Sequence, residues 1–231
     1  MIGEIPGRSG IRPRPRPQWP MMTSPPKPDW LKAHGPAWRR QGERLIYDNP
    51  WISLREYDAE APTGAKTIYG VVGFKNLAVG VLPILDDGSI ILVGQHRFPL
   101  QDYSWEIPEG GVPLGQDPLQ GARRELREEA GLEAADWRQV LGFQLSNSVC
   151  DERGRGYIAT GLTEVPAEPD ATEAFALARV PFAEALEQAL CGRIWDMITL
   201  AMLLRAYHMA MEGELPPALA RAMLPQAGRA P

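Results

Sequence analysis

Apolar and polar residues alternate through residues 51–57, which predicts a strand with one buried face. Residues 66–75, carrying Ile68, Tyr69, Val71, Val72 and Phe74, predict another. The apolar runs 77–85 and 89–95 flank Asp86-Asp87-Gly88, a hairpin signal. Residues 140–146, 157–163 and 175–180 read as further strands. Helical spacing takes over at Pro118–Ala130, at Phe182–Leu190 and over residues 194–209. In the last helix Met197, Leu200, Ala201, Leu204 and Tyr207 share one face, which is expected to pack in the core. Strands, one helix, more strands, then helices predict an α+β fold with helices flanking a mixed sheet.

The ends break this pattern. Eight of the 23 prolines fall in the first 30 residues, and the alternating Arg and Pro of residues 12–17 exclude a helix or an inner strand there. Residues 1–35 are expected to be a disordered tail, with Met21 or Met22 as an alternative start. Residues 36–75 form an N-terminal β segment, residues 76–212 the main domain, and residues 213–231 a C-terminal tail with a short helix. Hydrophobic residues make up 44% and charged residues 23%, which excludes a wholly disordered chain. Apolar runs are too short for a membrane span. A net charge of -5 gives no global attraction to nucleic acid, so a phosphate-bearing substrate needs local arginines or a metal. Cys150 and Cys191 have no metal-ligand spacing, and the absence of a secretory signal makes the cytoplasm the expected compartment.

The chemistry is densest in residues 105–132. Glycine and proline fill most of positions 108–115, which predicts a tight loop rather than a regular element. Asp117 suits the N-cap of the following helix, Pro118 its first position, Gln120 a capping box and Gly131 its stop. At about 100° per residue, Glu125, Glu128 and Glu129 share one stripe beside the apolar face of Leu119, Ala122, Leu126 and Ala130. Like charges at these spacings destabilise a helix by roughly 0.2–0.5 kcal/mol per pair. A divalent cation reverses that sign, and carboxylate oxygens suit Mg²⁺ or Mn²⁺. On charge patterning alone the expected reading is a solvated face balanced by Arg123, Arg124 and Arg127.

Gly110, Gln116 and the run Arg124-Glu125-Leu126-Arg127-Glu128-Glu129-Ala130-Gly131-Leu132 resemble the Nudix box. That pattern is Gly, five residues, Glu, seven residues, then Arg-Glu-apolar-x-Glu-Glu-x-Gly-apolar. The spacing agrees over all 23 positions from 110 to 132, with Gln116 standing where the pattern has Glu. The resemblance implies a Nudix α/β/α sandwich with a mixed sheet, preceded by a small N-terminal β segment. It also implies metal-dependent hydrolysis of a nucleoside diphosphate linked to another moiety, with Mg²⁺ or Mn²⁺ as cofactor. Glu125 and Glu129 match the positions that hold the metal, Glu128 an auxiliary ligand or base, and Arg124 the arginine that orients the cluster. The main-chain carbonyl of Glu109 is implied as a further ligand.

The flanks, Gln95-His96-Arg97-Phe98 and Trp105-Glu106-Ile107-Pro108-Glu109-Gly110-Gly111, are similar to the ADP-ribose pyrophosphatase branch of that family. This implies a nucleoside diphosphate-sugar substrate, cleavage of ADP-ribose to AMP and ribose 5-phosphate, and a homodimer that exchanges N-terminal strands. It places Arg97 near the substrate phosphates, with Glu106 in the same segment, and allows Trp51 or Trp38 to stack on a base. A general base is expected from the acidic loop at 169–173, with Glu173 the first candidate, Asp170 nearby and Glu152 an alternative. Three readings stay open: hydrolysis of ADP-ribose, hydrolysis of dinucleoside polyphosphates, capped RNA or another nucleotide sugar, and a non-catalytic nucleotide-binding module. Neither nucleic acid nor membrane is an expected partner.

Overall fold

The computed structural model of the protein describes residues 25–166 and 175–224. The expected tail up to residue 24, and the acidic loop with Asp170 and Glu173, lie outside the described residues. Strands β1 (Arg39–Asp48), β2 (Ile52–Glu60) and β3 (Lys66–Phe74) form an antiparallel sheet in that order. A second sheet joins β4 (Asn76–Pro83), β7 (Glu109–Pro113), β8 (Leu132–Gln144) and β9 (Arg153–Glu164) in the order β7-β4-β9-β8. It is mixed, because β4 runs parallel to β9 while the β7-β4 and β9-β8 pairs are antiparallel. A third sheet sets β5 (Ser89–Arg97) between β6 (Asp102–Glu106) and β10 (Ala176–Pro181).

Helices cover the mixed sheet on both faces. Along β4, Val79 and Val81 pack with Val112, Ala122 and Leu126 under α1 (Pro118–Ala130). Leu82, with Ile158, faces the other way, into the core under α2 (Phe182–Leu190) and α3 (Met197–Met211). Period-2 alternation along one strand therefore feeds two cores. The short helix α4 (Pro217–Met223) docks on the second core through Leu219 and Met223. Each fully buried Leu or Ile in these cores contributes roughly 1.5–3 kcal/mol. The fold is the expected α+β sandwich with antiparallel strands before it. Among the described residues no helix is long and apolar enough to cross a membrane.

Several local expectations are corrected. The glycine-rich stretch 108–115 contains a strand, β7, paired with β4 from Asn76↔Pro113 to Gly80↔Glu109. β7 is an edge strand, where a terminal proline costs no ladder bond. Its glycines allow close approach, since a Cβ at Gly111 would stand 3.0 Å from Asn76 Nδ2. The last long helix begins at Met197, not 194, because the Asp196 carboxylate caps it by accepting the Thr199 N–H at 2.7 Å. Its buried face holds Ile198, Met202, Leu203, Ala206 and Met209, whereas Met197, Leu204 and Tyr207 are exposed. The helix is apolar nearly all round, so spacing alone cannot select the face.

Candidate active site

The helix α1 is fixed at both ends by its own sequence. Asp117 accepts the Leu119 N–H at 3.0 Å, and Gly131 closes the helix with φ 61°, a left-handed conformation that glycine adopts without strain. Gly121 lets α1 press onto β7, because a Cβ there would lie 2.0 Å from Val112 Cγ2. This packing turns Glu125 and Glu129 inward, leaving them 7% and 6% exposed, although they stand one turn apart with like charge.

Both carboxylates converge on β7. The Glu109 main-chain N–H donates to Glu129 Oε2 at 3.0 Å. A Cβ at Gly110 would stand 2.3 Å from the Glu125 carboxylate, so a side chain there fits only if that carboxylate moves. Glu128 is half-buried on the outer side of the stripe and accepts from Arg124 Nη1 at 2.7 Å. The other terminal nitrogen of Arg124 bonds Glu125 Oε1 and the Gly111 carbonyl, the latter at 3.1 Å. Arg124 thus ties two carboxylates and β7 into one unit. Gln116 lies apart from them, exposed in the turn between β7 and α1, with its N–H on the Pro113 carbonyl.

A cleft of about 430 Å³ opens beside this unit, lined by Trp51, Arg97, Glu109, Glu152 and Trp195 among others. Arg97 is clamped on its wall. Its Nε donates to Glu106 Oε1 at 2.9 Å, and its Nη2 donates to Glu106 Oε2 and, at 2.7 Å, to Glu109 Oε1. Nη1 makes no hydrogen bond to the described residues. Burial opposes the charge on Arg97, but the Glu106 hydrogen bond and the Glu109 and Glu106 charges outweigh it, holding the guanidinium firmly protonated. Burial pushes the Glu109 acid well up, and the Asp196 and Glu106 charges add to that. A separate groove of about 530 Å³ along the outer face of α1 takes in Arg124 and Glu128 but neither Glu125 nor Glu129.

The structure thus brings Glu125, Glu128, Glu129, Arg124 and Glu109 together and sets Arg97, Glu106 and Trp51 on the adjoining cleft. Trp38 lies elsewhere, edge-on to Tyr69 at 5.4 Å between ring centroids. Glu152 also lines the cleft, and its acid is raised by burial and by Asp151. Trp195 and Asp196 were not among the residues expected at the site. Asp196 carried a signal, since an Asp three residues before Thr199 is an N-cap pattern. All these donors are hard oxygens, which fits a divalent cation on the α1 stripe.

A NUDIX domain family model matches residues 74–200, and a model described as the nucleoside diphosphate sugar hydrolase N-terminal domain matches residues 38–72. The chain is 36% identical to the ADP-ribose pyrophosphatase of Mycobacterium tuberculosis over 166 residues, which cover 70% of this chain and 79% of that protein. It is 33% identical to the methanol dehydrogenase activator of Bacillus methanolicus over 156 residues, covering 67% of this chain and 84% of that one. A solved ADP compounds hydrolase superposes with a TM-score of 0.70 at 19% identity, over 80% of this chain and 100% of the other, a likeness of fold.

Proposed function

The chain belongs to the Nudix hydrolase family, and from that premise we propose that it cleaves the diphosphate of a nucleoside diphosphate-sugar, ADP-ribose first, to AMP and ribose 5-phosphate. The observation that carries this reading is the buried Glu125–Glu129 pair facing the Glu109–Gly110 backbone beside an arginine-bearing cleft. Two inward carboxylates one turn apart have no use in a purely apolar core.

Nudix hydrolases generally use divalent metals. In our reading Mg²⁺ or Mn²⁺ is held by Glu125 and Glu129, with Glu128 auxiliary and the Glu109 carbonyl a further oxygen. When bound, such an ion would supply charge neutralisation for the diphosphate and help to activate the attacking water. Arg124 keeps Glu125 and Glu128 in place, and the Glu109 N–H keeps Glu129 in place. Arg97, oriented by Glu106, offers Nη1 to a phosphate oxygen. Trp51, 65% exposed on the cleft, supplies a stacking surface for the base. Glu173 accepts the proton of the attacking water, and Glu152 is the alternative base.

The N-terminal sheet leaves Leu45, Ile46, Tyr47 and Ile68 exposed, an apolar surface that supports a homodimer formed through this segment. Two free cysteines suit the cytoplasm. The test is a product screen over ADP-ribose, GDP-mannose, UDP-glucose, NADH and diadenosine polyphosphates with Mg²⁺ or Mn²⁺. AMP and ribose 5-phosphate from ADP-ribose are the expected products. Turnover confined to the diadenosine compounds would replace this reading.

A further inference from the structure

Away from the α1 stripe, the wall of the cleft gathers three other carboxylates. Glu106, Glu109 and Asp196 each offer an oxygen, and these oxygens all lie within 4.8 Å of one another. The side chains of Glu106 and Glu109 are only 2% and 11% exposed. Arg97 is the cation paired with them, so with all three carboxylates ionised the group carries a formal charge of -2 in a largely enclosed place, and burial together with mutual repulsion holds the Glu109 and Asp196 acids up. Such a charge is disfavoured unless protons or a bound cation neutralise it.

Two of the three carboxylates have other duties. Glu106 orients Arg97, and Asp196 caps α3 with one oxygen. The Glu109 side chain lacks a comparable explanation. Its Oε1 shares Arg97, while its Oε2 is fully buried and has no hydrogen-bond partner among the described residues. The cluster is also rigidly placed, because the Ile107 N–H donates to Thr199 Oγ1 at 2.9 Å and so ties the 106–109 segment to the start of α3.

We propose that Glu106, Glu109 and Asp196 hold a divalent cation distinct from the one on Glu125 and Glu129. The donors are all carboxylate oxygens, with neither His nor Cys among them, which selects a hard ion of the Mg²⁺ or Mn²⁺ class. Oxygens on opposite sides of such an ion at about 2.1 Å stand roughly 4.2 Å apart, inside the 4.8 Å that spans these three. With its three carboxylates ionised around it, the ion leaves the wall neutral. A diphosphate approaching Arg97 then meets no net negative charge. That consequence rests on the proposed substrate, whereas binding of the ion does not.

The test counts Mn²⁺ bound to the full chain by the electron paramagnetic resonance signal of the free ion. A Glu125→Gln/Glu129→Gln variant should still bind one Mn²⁺. Adding Glu109→Gln, which keeps shape and main-chain carbonyl, should weaken that binding at least tenfold. Adding Asp196→Asn instead, which preserves a capping side chain, should do the same. Circular dichroism spectra matching the wild type establish that each variant is folded. The proposal is overturned if the double variant binds no Mn²⁺, or if both added substitutions leave binding unchanged. Retained Mn²⁺ binding in a wild-type protein that does not cleave ADP-ribose would instead overturn the substrate reading alone.

Discussion

The Glu109 N–H and the Glu129 carboxylate are joined by a 3.0 Å hydrogen bond, which fixes β7 to the carboxylate-bearing face of α1. The neighbouring Gly110 completes the join, since any side chain there collides with Glu125. Gly110→Ala should therefore push the Glu125 carboxylate aside. We expect a stability loss of roughly 1–3 kcal/mol, seen by thermal melting, and a larger fall in kcat than this loss explains. Full activity with unchanged melting would show that Glu125 does not need its present position.

Gln116 stands where the family pattern has a carboxylate, yet it is exposed in the turn and away from the Glu125–Glu129 pair. Gln116→Glu should change turnover by less than about tenfold, or about 1.4 kcal/mol in barrier. An inert wild type that becomes an efficient hydrolase on this substitution would support the non-catalytic binding module instead.

The base is decided by kinetics. Glu173→Gln should lower kcat steeply and leave substrate affinity nearly unchanged, and it should remove the acid limb of the pH–rate profile. Glu152 lines the cleft, and its raised acid keeps it protonated to higher pH than an ordinary glutamate. Glu152→Gln should leave that acid limb in place. The reverse pattern would make Glu152 the base.

The orientation of α3 has its own test. Leu203 is fully buried and Leu204 is 42% exposed. Leu203→Ala should cost about 2–5 kcal/mol, and Leu204→Ala within about 0.5 kcal/mol, both by denaturant unfolding. Equal costs would contradict the packing face described.

The parts of this molecule that were legible in sequence are those set by local chemistry. Asp117 and Gly131 mark the two ends of α1, Asp86-Asp87-Gly88 marks a tight turn closed by an isolated Ile84↔Ile90 bridge rather than the expected hairpin, since β4 and β5 lie in different sheets, and the glutamate spacing marks one stripe. The structure refines that stripe, burying Glu125 and Glu129 and leaving Glu128 half-exposed. Within the expected β segment, β1 has no alternation to mark it as a strand, because its residues are almost all exposed. β7 was hidden by the glycines and prolines that let an edge strand approach its neighbours closely. The Glu106, Glu109 and Asp196 cluster was invisible for a different reason. About 90 residues separate Asp196 from the others, and only the docking of α3 brings them together.

In the proposed reaction an ion on the α1 carboxylates drives hydrolysis of a nucleoside diphosphate-sugar. The most direct measurement is the rate of AMP release from ADP-ribose by wild type and Glu129→Gln, each with Mg²⁺ and with chelator. Wild type should be active only with Mg²⁺. Glu129→Gln should remain folded and lose activity by orders of magnitude, since the substitution keeps the side-chain shape and removes one ligand charge. Unchanged hydrolysis in the presence of chelator, or full activity in Glu129→Gln, would contradict the account.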